Sequence, residues 1–227
     1  MSTNTEILQM AGAKIVIGPI DAGKLMLVFC LMAAVEAPLR LITWYEGFSP
    51  LVLLATSRFI EAALIIGVSL RGKNGLSVVG LRTGKVLSGF RRGLLWSAGF
   101  GGIVLLVYIS LQVMGIDALP LIQTHLPLNM GDLILFFLVG GIISPVAEEL
   151  LFRGVVYGFL RRWGAAPAVM ISSLAFVLAH MDFTVFFVIQ ITGGILFALT
   201  YEVEKNLMVP ITLHMLGNLA IFSISFF

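Results

Sequence analysis

The sequence predicts an all-α, polytopic integral membrane bundle of about six to eight transmembrane helices, and three observations carry that prediction. Of 227 residues, 59% are hydrophobic and only 11% are charged, whereas a water-soluble domain of this size carries about a quarter charged residues. The mean hydropathy is +1.06, and the apolar runs recur at lengths that suit a hydrocarbon layer about 30 Å thick. The charges, finally, gather at a few points between those runs, as short loops require. A single cysteine, Cys30, excludes an internal disulfide and a cysteine-ligated metal site, and reads as a small apolar residue of a span. The opening Met-Ser-Thr-Asn-Thr-Glu lacks a positive n-region, so no cleaved signal peptide is expected. The closing Ser-Ile-Ser-Phe-Phe carries no lipidation motif.

Taken in order, residues 7–20 are apolar but short and carry Lys14, which predicts an interfacial helix rather than a span. The first span covers about 25–43, with Glu36 and Arg40 four residues apart. The second covers about 49–70, with Arg58 and Glu61 three apart. Each pair shares a helix face and can neutralise itself, so both read as structural glue before catalysis. Residues 71–92 form an extramembrane loop holding Arg71, Lys73, Arg82, Lys85, Arg91 and Arg92, six of the fourteen basic residues, and no acid. The positive-inside rule places that loop in the cytoplasm, and the plasma (inner) membrane is the expected location. The run is too short, and too poor in interleaved aromatics, for nucleic acid. A third span, about 93–115, leads to an outer loop, 116–131, with Asp117 and His125 but no lysine or arginine. His125, among Pro120, Pro127 and Asn129, reads as an exposed loop residue. Residues 132–162 would extend about 46 Å as one helix, more than the hydrocarbon needs. Gly140-Gly141 and Ser144-Pro145 lie in its middle, and serine before proline is a helix-start signal, so a break or strong kink is expected at Ser144. Arg161 and Arg162 return the chain to the cytoplasmic side. Spans at about 165–181 and 183–203 are joined by a tight turn at Met181-Asp182, with Gly193-Gly194 permitting close helix contact. Glu202, Glu204 and Lys205 mark the cytoplasmic surface again before a final span, 206–227. No repeat or linker divides the chain, so 1–227 is read as a single membrane domain.

The chemistry concentrates between Ser144 and Gly154. Glu148, Glu149 and Arg153 lie in a strongly apolar stretch, and an intramembrane ionisable residue marks a functional site by default. Glu149 and Arg153 are four apart and can pair on one helix face. Glu148 is turned about 100° away and keeps no basic partner at that offset. The plain alternative is a structural ion pair beside a spare carboxylate. Two histidines fall inside spans: His180, four residues after Phe176, and His214, four residues before Asn218. Counting 1.5 Å per residue from the cytoplasmic ends, Glu148 lies about 20 Å deep, His180 about 22 Å, and His214 and Asn218 about 12 and 18 Å. Singly, each is a packing or hydrogen-bonding residue. At one depth they make a hydrolytic set. A desolvated glutamate can take a proton from water, imidazoles can hold that water, polarise a carbonyl or bind a metal, and an amide N–H can donate to an oxyanion. Glu148, His180 and His214 are equally a plausible zinc set, although no HExxH occurs.

Glu148-Glu149-x-x-x-Arg153, Phe176-x-x-x-His180 and His214-x-x-x-Asn218, in this order on separate helices, resemble the CPBP family. These are the CAAX-protease and bacteriocin-processing membrane proteins, also called the Abi family, and they include the type II CAAX prenyl endopeptidases. The resemblance covers about residues 75–227, a catalytic core in that family's terms; the spans within 1–74 match only in hydropathy. It implies an intramembrane endopeptidase, open toward the cytoplasm, that cuts near the C-terminus or in a membrane-proximal segment of a protein or peptide. Residue by residue, it implies Glu148 as the general base that activates water, with Glu149 and Arg153 in support. His180 would place that water, His214 and Asn218 would complete the site and stabilise the oxyanion, and Phe152 and Phe176 would meet the substrate. The family is read both as metal-dependent and as using glutamate-activated water. The absence of HExxH and the presence of Asn218 favour no cofactor, with zinc on Glu148, His180 and His214 as the alternative. Two other functions compete: a non-catalytic immunity or scaffold member of the same family, and a proton-coupled transporter, whose usual inverted repeats are not seen here.

Overall fold

The computed structural model describes residues 20–42, 47, 49–72, 74–180 and 186–227, without the side chains of Arg40 and Phe186. The expected interfacial helix before Ile20, the Met181-Asp182 turn and the Arg40 partner of Glu36 lie outside the described residues. Among the described residues seven long helices follow one another: α1 (Ala22–Ile42), α2 (Pro50–Leu70), α3 (Val86–Val113), α4 (Met130–Trp163), α5 (Ala165–His180), α6 (Phe186–Glu204) and α7 (Met208–Ile224). Five of them, α1 to α4 and α6, are long and apolar enough to cross a membrane, while α5 and α7 are shorter apolar helices. The chain is an all-α polytopic membrane bundle.

Its burial pattern is the one a hydrocarbon solvent selects. Large apolar side chains such as Leu106 and Val113 face outward, whereas Arg153 and Glu149 are fully enclosed. Lipid cannot satisfy a charge, so charges turn toward one another inside the bundle. One apolar cluster runs from Val28 and Ile65 in the first two helices to Tyr157, Phe176, Tyr201 and Leu213 in the last four.

Two expectations are corrected. The basic stretch 71–92 is not wholly a loop, because α3 already begins at Val86. Ahead of it, a short 3-10 helix, Gly75–Val79, tucks Val78 and Val79 into the core. The turn that follows is held by α6 and α7: the Leu207 N–H donates to the Gly80 carbonyl at 3.1 Å, and the Tyr201 hydroxyl donates to the Val79 carbonyl at 3.2 Å. Gly80 has φ +81°, and a Cβ there would fall 2.4 Å from the Tyr201 hydroxyl oxygen, so only glycine fits.

The second correction concerns α4, which runs unbroken through Ser144-Pro145. Its true start is Asn129, extended at φ −87° and ψ 143°, whose side chain accepts the Asp132 N–H at 2.8 Å. Ser144 is no N-cap; it is helical, with φ −60° and ψ −49°, and its N–H donates five residues back to Val139. The π-turn Val139–Ile143 widens the helix just ahead of the proline. A wider turn accommodates the proline ring and its missing N–H, which is why the chain bends its register rather than breaking. A second π segment, Leu150–Tyr157, follows the glutamates.

Candidate active site

The site is built on the six-residue α-helical piece of α4, Ser144–Glu149, that lies between the two π segments. π-turns rotate side chains out of the regular 3.6-residue phase and recur at functional sites. On this piece Glu149 points wholly inward and is 0% exposed, whereas the Glu148 side chain keeps 13% exposure. The two adjacent carboxylates therefore occupy different environments.

Glu149 is the hub of a buried network. Its Oε1 accepts from Arg153 at 2.9 Å and lies 2.9 Å from His214 Nδ1. The same guanidinium donates to the Gly194 carbonyl of α6 at 2.9 Å and lies over the Phe176 and Phe197 rings, 4.7 and 5.3 Å from their centroids. A Cβ on Gly194 would touch Ser173 and Phe176 at 3.4 Å, so the glycine allows α6 to lie close to α5.

The two imidazoles converge on the other carboxylate. His180 Nε2 and His214 Nε2 stand 3.7 and 3.8 Å from Glu148 Oε2. Their tautomers follow from the partners on the far sides. His180 Nδ1 faces the Phe176 carbonyl at 2.8 Å, and a carbonyl only accepts, so this nitrogen carries the proton. His214 Nδ1 faces the Glu149 carboxylate and is protonated for the same reason. In its neutral form each ring presents a bare Nε2 lone pair toward a carboxylate oxygen. Three acceptors aimed at one place, at distances too long for direct hydrogen bonds, suit a bridging donor such as water. Aromatic walls hold the rings: Phe197 stacks on His214 at 4.5 Å, and Phe176 lies 4.4 Å from His180 and 5.8 Å from His214. Among the described residues no group of three His, Cys, Asp or Glu side chains is placed to hold a metal ion.

Of the residues expected from sequence, Glu148, Glu149, Arg153, His180 and His214 meet directly. Phe176 contacts both rings, and Phe152 packs edge-on behind it at 5.2 Å. Asn218 stands one turn beyond His214, where its amide donates to the Gly140 carbonyl at 2.8 Å. His125 is exposed in its loop. Sequence reasoning missed Phe197 and the Gly194 carbonyl as partners of the network; the signal available was Gly193-Gly194 followed by an aromatic residue on the same helix face. It also missed a latch at the basic end, where Glu202 accepts from Tyr157 and, at 2.9 Å through both oxygens, from Arg161. In the first two helices Arg58 binds Glu61 at 2.6 Å and reaches Glu36 at 4.0 Å, so the expected pair on α2 is joined by an acid from α1.

Residues 130–220 match the family model described as Type II CAAX prenyl endopeptidase Rce1-like. This segment is similar to the Rce1-like family. It spans α4 to α7 up to Ala220, and so contains all three motifs of the site. Two curated proteins are similar to this chain over part of its length. A Staphylococcus aureus (strain USA300) protein, the membrane-embedded CAAX protease MroQ, is 40% identical over 91 residues, which is 37% of this chain and 36% of that protein. A Bacillus subtilis (strain 168) protein, the putative membrane peptidase YdiL, is 32% identical over 85 residues, 37% of this chain and 34% of that protein. The matched stretch thus spans about a third of each relative's length. No solved structure matches the chain.

Proposed function

We infer that this chain is an intramembrane endopeptidase that hydrolyses a peptide bond with a water activated by Glu148. The observation that carries the reading is the convergence of His180 Nε2 and His214 Nε2 on Glu148 Oε2 at 3.7 and 3.8 Å, with both Nδ1 atoms already engaged. The Rce1-like domain and the protease names of its relatives support the class of reaction.

In this mechanism a water sits between the carboxylate and the two rings, donating to Glu148 and accepting nothing from either Nε2. Glu148 removes its proton as the oxygen attacks the substrate carbonyl, forming the C–O bond of a tetrahedral intermediate. The proton then passes from Glu148 to the leaving amine as the C–N bond breaks, so the glutamate acts first as base and then as acid. Glu149 and Arg153 act through His214, fixing its tautomer and ring plane. Asn218 spends one amide hydrogen on Gly140, which leaves the second for the oxyanion. Phe176 and Phe152 form the wall against which the substrate lies. The partner is a protein or peptide segment at the membrane, cut near its C-terminus or beside a span, and no cofactor is required.

The deciding experiment compares peptide termini in membranes from cells carrying wild-type protein or Glu148→Gln. Termini found only with wild type are expected, and they would identify the substrate as well. Identical termini, with the variant inserted normally, would overturn the reading and favour a non-catalytic immunity or scaffold role. Adding a chelator to the same membranes is expected to leave cleavage unchanged; loss restored by zinc would assign Glu148, His180 and His214 as metal ligands.

A further inference from the structure

We propose that Asn218 is a positioning residue whose main task is to satisfy a backbone carbonyl that Pro145 orphans beside the catalytic glutamates. In a regular α-helix the Gly140 carbonyl would accept from the N–H of residue 144, and in a π-turn from that of residue 145. Here neither donor serves it. Ser144 sends its N–H to the Val139 carbonyl, and residue 145 is a proline with no N–H to give. A carbonyl left unpaired inside a hydrocarbon layer is costly, because no water reaches it. Asn218 Nδ2 fills that vacancy at 2.8 Å from another helix.

The consequence is a two-point clamp. α7 holds α4 through His214 on Glu149, the last residue of the α-helical piece Ser144–Glu149, and through Asn218 on Gly140, before it. The fit between the two helices is close at this second point, since a Cβ on Gly141 would fall 2.5 Å from Leu219. The piece that carries Glu148 is thus fastened to α7 at both ends, and the spacing of His214 and Asn218, one helical turn apart, is matched to the two anchor points. In this account the histidine and the asparagine of the last motif do one job in two places. They set the register of α4 that aims Glu148 at the imidazoles. The link to catalysis rests on the proposed protease function; the clamp itself does not.

A thermodynamic cycle tests the clamp without a substrate. Asn218→Ala, Pro145→Ala and the double variant are purified in detergent, and their thermal unfolding midpoints are compared with wild type. Alanine at 145 restores an N–H within reach of the orphaned carbonyl. Asn218→Ala alone is therefore expected to lower the midpoint by roughly 3–10 °C. In the Pro145→Ala background the same change is expected to cost less than half as much. Equal shifts in the two backgrounds would overturn the proposal. Should Pro145→Ala not accumulate, Asn218→Leu decides the matter. An apolar residue of the same size facing hydrocarbon is tolerated if no carbonyl depends on it, so an unchanged midpoint would overturn the clamp, and a drop would support it. Cleavage by the same variants reads the functional half separately. Recovery of cleavage in the double variant relative to Asn218→Ala is expected. If Glu148→Gln leaves all termini unchanged while the cycle is non-additive, the protease reading falls and the clamp stands.

Discussion

Arg153 is held at zero exposure by Glu149 on its own helix, the Gly194 carbonyl on α6, and the faces of Phe176 and Phe197, with its Nε left unpaired. Removing one partner of such a buried pair leaves the other uncompensated, at a cost of about 3–5 kcal/mol. Arg153→Met is therefore expected to lower the thermal midpoint far more than Glu149→Gln, whose amide oxygen still accepts from both Arg153 and His214. Equal losses would show that the charge on Glu149, rather than its acceptor oxygen, holds the network. His180 should behave in the opposite way. Its side chain is 31% exposed at the end of α5, so His180→Ala is expected to cut cleavage about 100-fold or more while moving the midpoint little. A large stability loss would make it a packing residue. The Glu149–Arg153 pair was legible in the sequence, because residues four apart must share a helix face. The Gly194 carbonyl was not, because a backbone acceptor has no residue identity to read.

At the scale of elements, Glu149 and Arg153 share a face as their spacing requires, but Ser144-Pro145 is not a helix start. Serine before proline resembles a helix start, and the length of 132–162 seemed to demand a break. The structure resolves both pressures with the π-turn Val139–Ile143, a register change that depends on a donor in α7, the Asn218 amide, and so cannot be seen in α4's own sequence. The contact between α3 and α7 shows the same dependence on a partner. Gly89 and Gly93 lie on α3 where a Cβ would fall 2.5 Å from Asn206 Nδ2 and 2.5 Å from Thr212 Cβ, whereas Gly99, Gly101 and Gly102 on the same helix have nothing within 4 Å. Gly93→Ala is expected to force the helices apart at a cost of about 1–3 kcal/mol. Gly101→Ala is expected to be neutral or to stabilise by up to about 1 kcal/mol through helix propensity. Thermal midpoints of the two variants check this, and a Gly93→Ala protein as stable as wild type would mean that α3 is not closely packed on α7.

For the whole molecule, the placement of charge relative to the helices makes the orientation testable. Arg82, Lys85, Arg91 and Arg92 flank the start of α3, and Arg161, Arg162 and Lys205 gather with Glu202 where α4 and α6 end. The opposite side, where α3 ends and α4 begins, carries Asp117, His125 and Asp132 and no lysine or arginine. The latch of Arg161 and Tyr157 on Glu202, and the Trp96 N–H donated to Glu204 at 2.9 Å, tie α3, α4 and α6 together at the basic end alone. The helix ends next to His180 carry no such latch among the described residues. Because positive charge is retained in the cytoplasm during insertion, the latched end should face inward. Single-cysteine labelling decides it, and the chain needs only Cys30→Ser to provide a clean background. Gly84 and His125 are exposed on opposite sides, and a Cβ on Gly84 meets nothing within 4 Å. In intact cells an impermeant maleimide is expected to label His125→Cys at once, and Gly84→Cys only after the membrane is opened. The reverse pattern would turn the molecule over, and a substrate segment would then have to approach Glu148 from the other face of the membrane.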